Sequence, residues 1–520
     1  HTASFDLTDG IELLAGELAY TTKAVSGWTA LEPELSVTWE TNPTFEPVEI
    51  TNDMKGKCNI VINAPAGIKA FTVSMLSDYL NNDIGLTELD LLNPQGLETI
   101  FDMLNFPYGE KILNQKTVPF DLTNAVALLE GKSGQHIFTM NVTDNNNKTI
   151  NQDITFFVPE AISATVSDID LWKNTATITL NNAPEGATVQ YKRSTESEWK
   201  NTTKNPNGTF SITPSWITEE NDAGKTVYSL DNNCGVFAGA TYDWQILNGE
   251  AVVASGTFET SAGDPIENGD MSQWCETKEM LPLFGSKKIT VWYPGSSWSD
   301  STPGFWDSSN NAGNKTACTQ DKTKNASCAW LQASGVSLVG ALASGSLFTG
   351  TFTYANMNGT ASFGQKYKYT ARPTALRLKY HATLGTVNYN KHNGPLEKNK
   401  DIMDQCSFTV CIVDWDTRHD VQSGTSAPKG IWDPITMGEL PVDKQNGIIG
   451  YGVKYSSENT PGTDLIPLEI PIKYYQQTNA APDGENKFTI IISVSTSRYG
   501  DYLNGCDKNK IYVDDFEWVY

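Results

Sequence analysis

No apolar run in this chain is longer than a β-strand. The strongest, Phe488 to Val494, is one strand long, far short of the roughly 18 residues that a membrane-spanning helix needs. Gly, Pro, Asn and Asp, the residues that turn a chain, punctuate such runs. "LSVTWE", "CNIVINAP" and the Thr/apolar alternation from Thr175 to Leu180 read as strands on this pattern. The expectation is an all-β chain with minor short helices. At 520 residues it exceeds one ordinary core, and about 150 residues per domain suggests three.

Charge divides the chain. It carries 61 acidic and 37 basic side chains, a net −24. Residues 1–262 hold 34 of the acidic and 14 of the basic groups, leaving 27 and 23 for residues 263–520. An acidic, soluble stalk and a nearly neutral head are expected. The negative excess repels phosphate backbones and anionic lipid, which argues against nucleic-acid or membrane-surface partners. No phosphate loop or glycine fingerprint of a buried cofactor follows a strand.

Three segments emerge. Residues 1–160 mix strands with short helices and contain a duplication: Phe5–Gly16 recurs as Phe120–Gly131, identical at seven of twelve positions. Leu122, Val126 and Leu129 share one face of a short helix. Asp121 or Thr123 can cap that helix and Gly131 can end it, so the repeat reads as a structural plug. With its first copy at the start of the chain, it points to a further domain upstream. Residues 161–262 read as a small β-sandwich, weakly similar to fibronectin type III or immunoglobulin-like spacers. Residues 263–520 are again β-rich, with long polar loops at 296–327, 384–404 and 416–447. Loops of that length are usually functional or held by something bound.

The chemistry-bearing residues are few. Five His and no Gly-x-Ser-x-Gly elbow argue against a Ser/His/Asp hydrolase. Eight Cys contain no Cys-x-x-Cys pair, which argues against zinc. Cys318 and Cys328 are either bridged or buried thiols. Asp414 and Asp416, two apart in an extended stretch, lie at a spacing that a glycosidase acid/base pair can use; the alternative is that they solvate a strand end. In the closing "KIYVDDFEWVY", alternation places Tyr512, Asp514, Phe516 and Trp518 on one face. A carboxylate there needs a partner: either Ca²⁺, with oxygens from "IENGDMSQW", or turn amides.

Tryptophan gives the strongest signal, with eight in the head. Trp292, Tyr293, Trp298 and Trp306 crowd a Gly/Pro/Ser-rich stretch, with Asp307 beside them. Indole faces stack on the C–H faces of sugars, and neighbouring Asp and Asn suit sugar hydroxyls. This loop is therefore the candidate glycan platform, against the alternative that its rings anchor it to the sandwich.

In sequence, "DPIENGDMSQW", "GFWDSSN", "SLFTGTF", "FGQKYKYTARPTALRLKYHA", "SVSTSRYGDYLNG" and "IYVDDFEWVY" resemble the putative carbohydrate metabolism domain of Bacteroidetes surface lipoproteins, over about 265–520. "NIVINAPAGIKAFTV", "LNFPYGEKI" and "FDLTNAVALL" resemble the Ig-like region that precedes it. The resemblance implies Ig/fibronectin-like sandwiches followed by a jelly-roll β-sandwich similar to carbohydrate-binding modules. It also implies a structural calcium held by Asn268, Asp270, Asp514 and Asp515, no cofactor being required. The expected role is a secreted or cell-surface, non-catalytic glycan-binding lipoprotein. Its partner would be a polysaccharide or glycoconjugate, and its membrane contact only an N-terminal lipid anchor, whose Cys is not in this chain. The alternatives are a glycoside hydrolase acting through Asp414 and Asp416, and a structural adhesin or assembly subunit.

Overall fold

The computed structural model describes residues 34–280, 289–299, 302–312, 317–336, 340–398 and 400–520. The first copy of the duplicated motif, Phe5–Gly16, lies outside them. The chain is nearly all β and divides into two compact units, His1–Ala161 and Ile162–Tyr520. The boundary expected at 160 falls at the edge of the first unit, and that at 262 falls inside the second. Among the described residues no helix is long and apolar enough to cross a membrane.

In the first unit a three-stranded sheet and a five-stranded sheet enclose one core, with Trp39, Ile60, Phe71, Phe120 and Phe156 at its centre. The second copy of the repeat belongs to that core. Phe120 lies next to last in the strand Thr117–Asp121, and Leu122, Val126 and Leu129 on the helical turn after it are fully buried. The Thr123 amide and hydroxyl donate to Asp121 Oδ1 at 2.9 and 2.6 Å, and Gly131 takes up a positive φ of 72°.

The second unit contains two sandwiches. The smaller packs two four-stranded sheets, from residues 163–212 and 188–259, around Ile178, Val189, Ile212, Tyr242 and Ile246. One hairpin, Ser215–Glu220 with Thr226–Asp231, leaves it and joins the larger sandwich, where Tyr228 pairs with Tyr474. The resulting sheet has ten strands. Its order is Ser215–Glu220, Thr226–Asp231, Lys473–Tyr474, Ile448–Ser456, Cys406–Trp415, Phe488–Ser495, Ser346–Ala355, Asn358–Phe363 and His419–Gly424, with Trp306–Ser308 paired beside Ser346–Ala355. Arg372 pins the junction. Its buried guanidinium lies 4.6, 5.1 and 4.9 Å from the rings of Trp172, Trp216 and Tyr474, and its Nε donates to Trp172 O at 2.6 Å.

A five-stranded antiparallel sheet packs against one face of the large sheet. Phe408, Val410, Ile490, Ile492 and Val494 from the large sheet meet Leu331, Leu376, Leu378, Ile511 and Val513 from the small one. The simple alternation expected for the last strand fails at a bulge. Arg377 pairs with Glu517 but Lys379 with Asp514, and Asp515 takes a φ of 53°. The extra residue resets the pleat, so Val513, Phe516 and Trp518 all reach the core.

Candidate functional site

The Trp-rich loop is not an open platform. Trp306 lies on a short strand of the large sheet and faces the core, fully buried. Its Nε1 donates to Glu267 O at 2.7 Å, and its ring centroid lies 5.1 Å from that of Phe516. Tyr293 is also fully buried, and Trp298 stacks flat upon it at 3.9 Å. Trp292 and Trp298 are half-buried. Asp307, fully buried, accepts the amides of Ser308 and Phe352, each at 2.7 Å. These residues lie on or beside the strands Ile289–Pro294 and Trp306–Ser308, so their side chains have sandwich to bury against. The glycan role expected of Trp306, Tyr293 and Asp307 is corrected accordingly. Asp307 instead braces a bend: at Gly350 (φ 154°) the strand Ser346–Ala355 leaves the Phe488–Ser495 strand and pairs with Asn358–Phe363.

Asp414 and Asp416 are both exposed, and Asp414 forms an ion pair with Lys487 at 3.0 Å. They sit at the strand end and line no cavity described here.

The segments that carry the expected calcium ligands meet at the two ends of the head, where Phe516 N donates to Gly269 O at 2.8 Å. Asn268 Oδ1 accepts Gln273 N at 2.9 Å, and Asp270 Oδ1 accepts the Ser272 hydroxyl at 2.9 Å. Asp514 is buried, accepts Asn325 Nδ2 at 2.6 Å, and is pushed up to about 6 by burial, with Asp515 and Asp270 adding repulsion. Asp515 pairs with Lys379 at 2.8 Å. Among the described residues no three His, Cys, Asp or Glu side chains converge as a metal cluster. All eight Cys are free thiols, and burial pushes Cys328 up to about 12.

A cavity of about 560 Å³ opens on the other face of the ten-stranded sheet. Register builds its floor. Ser495 pairs with Ser346 and Ser407, and Ser407 with Tyr455. In the next row Ser493 pairs with Phe348 and Thr409, and Thr409 with Val453. Because side chains alternate along each strand, every one of these hydroxyls points away from the core that Phe408, Val494 and Ile492 fill. Phe352, Tyr354 and Phe363 supply one wall, Trp432 another, and Tyr499, Asp501 and Tyr502 close one end.

The Trp432 wall is held in advance of any ligand. It belongs to the polar stretch 416–447. Asp433 accepts the amides of Ile435 and Thr436 at 2.8 and 2.9 Å, and Glu439 accepts those of Gly430 and Ile431 at 2.5 and 3.2 Å. Tyr475 donates to Pro434 O at 2.8 Å and itself accepts Asn221 Nδ2 at 3.0 Å. Asn221 lies in the turn of the hairpin supplied by the smaller sandwich, which thus buttresses the cleft.

Four ionised side chains line the cleft: Asp433, Glu439, Asp501 and Arg498. Arg498 lies 3.6 Å above the Tyr455 ring, and its Nη1 donates to Gln405 Oε1 at 3.2 Å. Asp501 keeps accessible surface, yet it stands within the walls. The protein crowded around it displaces water and pushes its carboxyl up to about 6. Aromatic walls over a hydroxyl floor, with a few fixed charges, can bind a molecule that is apolar on its faces and polar at its edges.

A family model described as "Putative carbohydrate metabolism domain" matches residues 258–519. No curated protein matches the chain. Among solved structures, a putative glycoside hydrolase from Bacteroides thetaiotaomicron is 16% identical, over 65% of this chain and 98% of that one, with a TM-score of 0.31. Another from Bacteroides vulgatus is 15% identical over 46% and 99%, also at 0.31. The SGBP-B protein of the Bacteroides ovatus mixed-linkage glucan utilization locus, in complex with a mixed-linkage heptasaccharide, is 8% identical over 86% and 94%, at 0.12. Scores this low transfer neither fold nor function.

Proposed function

The chain belongs to the family described as putative carbohydrate metabolism domain, and on that premise we propose that it is a non-catalytic glycan-binding protein of the cell surface whose binding site is the cleft on the ten-stranded sheet. One observation carries the reading: serine and threonine rows floor a cavity walled by Phe352, Tyr354 and Trp432. Pyranose rings stack their C–H faces on aromatic walls and present hydroxyls to such a floor. The carboxylates of Asp433 and Glu439 hold main-chain amides, which commits them to the loop rather than to bond cleavage.

Isothermal titration of the whole chain against a panel of soluble polysaccharides tests this. Binding is expected, and Tyr354→Ala and Trp432→Ala should each weaken it by roughly 30-fold, the loss of about 2 kcal/mol that a buried aromatic anchor carries. A panel that stays silent, or variants that bind like the parent, would overturn the reading.

A second reading, glycoside hydrolysis, is favoured by Asp501 alone, since a carboxyl at about 6 inside a cleft suits a general acid. Reducing sugar released by the wild-type chain and not by Asp501→Asn would promote it.

A further inference from the structure

The charges that line the cleft bear on what kind of glycan it takes, an inference that rests on the glycan-binding reading above. Two of its three carboxylates are committed: Asp433 to the turn at Ile435 and Thr436, and Glu439 to Gly430 and Ile431. Its one guanidinium, Arg498, lies flat on Tyr455 and is tied to Gln405. Asp501 differs. Its main-chain oxygen accepts the Ser423 hydroxyl at 2.6 Å, fixing the Gly500–Tyr502 turn against the edge strand. Among the described residues, however, no hydrogen bond or ion pair reaches its carboxylate.

We propose that the cleft selects against acidic glycans, and that the Asp501 carboxylate anchors its ligand by accepting two neighbouring hydroxyls of one sugar ring. Exposed in the cleft and met by no donor among the described residues, the carboxylate has both oxygens turned to whatever the cleft holds. A vicinal diol presents two O–H groups side by side, matching the two carboxylate oxygens, and hydrogen bonds to an ionised acceptor are about twice as strong as neutral ones. The aromatic walls take the ring faces and the serine floor takes the remaining hydroxyls. An acidic glycan would meet three carboxylates against one guanidinium, on a chain whose net charge is −24. Like-charge juxtaposition of that kind rejects a ligand.

The test is titration of the whole chain with neutral polymers (a soluble β-glucan, a galactomannan and a xylan) and with polygalacturonate and chondroitin sulfate as polyanions. At least one neutral polymer should bind, the polyanions tenfold or more weakly. Asp501→Asn should weaken the neutral ligand at least tenfold while melting no lower than the parent, because the substitution removes an unpaired charge. Equal or tighter binding of a polyanion, or wild-type affinity in Asp501→Asn, overturns the proposal while leaving glycan binding standing. Silence across all five probes overturns both.

Discussion

Two aromatic-rich regions of the head look alike in composition and behave oppositely. In the stretch 291–310, rings fall on or beside short strands; Trp306 and Tyr293 disappear completely, and Trp298 is taken up in stacking on Tyr293. Around the cleft, Tyr354 and Trp432 stand beside rows of hydroxyls and stay only half-buried. Ring count does not separate the two cases. What separates them is the face of the sheet each lies on: Trp306 points into the core, where Phe516 closes over it, whereas on the opposite face Ser407, Thr409, Ser493 and Ser495 leave a floor with nothing to seal it.

Removing one ring from each region should give opposite results. Trp306→Ala should cost about 3–5 kcal/mol of stability, the range for truncating a buried aromatic, read as a large fall in the urea midpoint. Tyr354→Ala should leave that midpoint nearly in place and lose ligand instead. Similar stability losses in both would erase the distinction.

Next in size is the buttress. Asn221→Ala strips the Tyr451 and Tyr475 hydroxyls of a shared partner, at about 1–2 kcal/mol. If the hairpin holds the Trp432 wall, glycan affinity should fall several-fold with it; loss of stability alone would confine Asn221 to a packing role.

Protonation sharpens the contrast further. The Asp501 carboxyl sits at about 6 in the fold, above its ordinary value of 3.8. Its contribution to stability is therefore complete below the ordinary value and is lost as pH rises through 6. Asp501→Asn should melt with the wild type near pH 4 and progressively above it toward pH 8, measured by thermal melts in matched salt. Wild-type glycan affinity should drop below pH 6, where the acceptor takes up a proton. A flat difference across that window would detach Asp501 from both effects.

The smallest effect expected is at the opposite end of the head. Because Asp270 and Asp514 repel one another, calcium held between the two ends would relieve that repulsion. Chelation by EDTA should then lower the melting temperature, and added Ca²⁺ should restore it. An unchanged melt removes the ion from the account.

The β class was legible because strand-length apolar runs and turn residues are local signals. So was the plug at 120–131: Asp121 and Gly131 act on their immediate neighbours. That the first and last segments of the head meet, Gly269 against Phe516, was anticipated from the resemblance of the two termini to a known domain. The cleft was not. Its floor is made by register among strands that lie far apart in the chain, and Ser407 and Ser495 become neighbours only once the sheet forms. A faint signal was present. In "CSFTVCIV" and "IISVSTS" hydroxyls alternate with apolar residues toward one end of each strand, a pattern that strands buried on both faces do not need. Trp306 misled for a related reason, since a Gly/Pro/Ser-rich surrounding gives no hint that the ring will insert behind Phe516.

The hairpin Ser215–Asp231 carries a practical lesson for anyone dissecting this molecule. Severing the chain near residue 262 would strip the great sheet of its outermost ribbon, bare the amides along Lys473–Tyr474 and leave Arg372 caged by only part of its aromatic shell. The two sandwiches of this chain are thus mechanically coupled, and an engineer moving the larger one alone would deliver a fragment with a raw sheet edge.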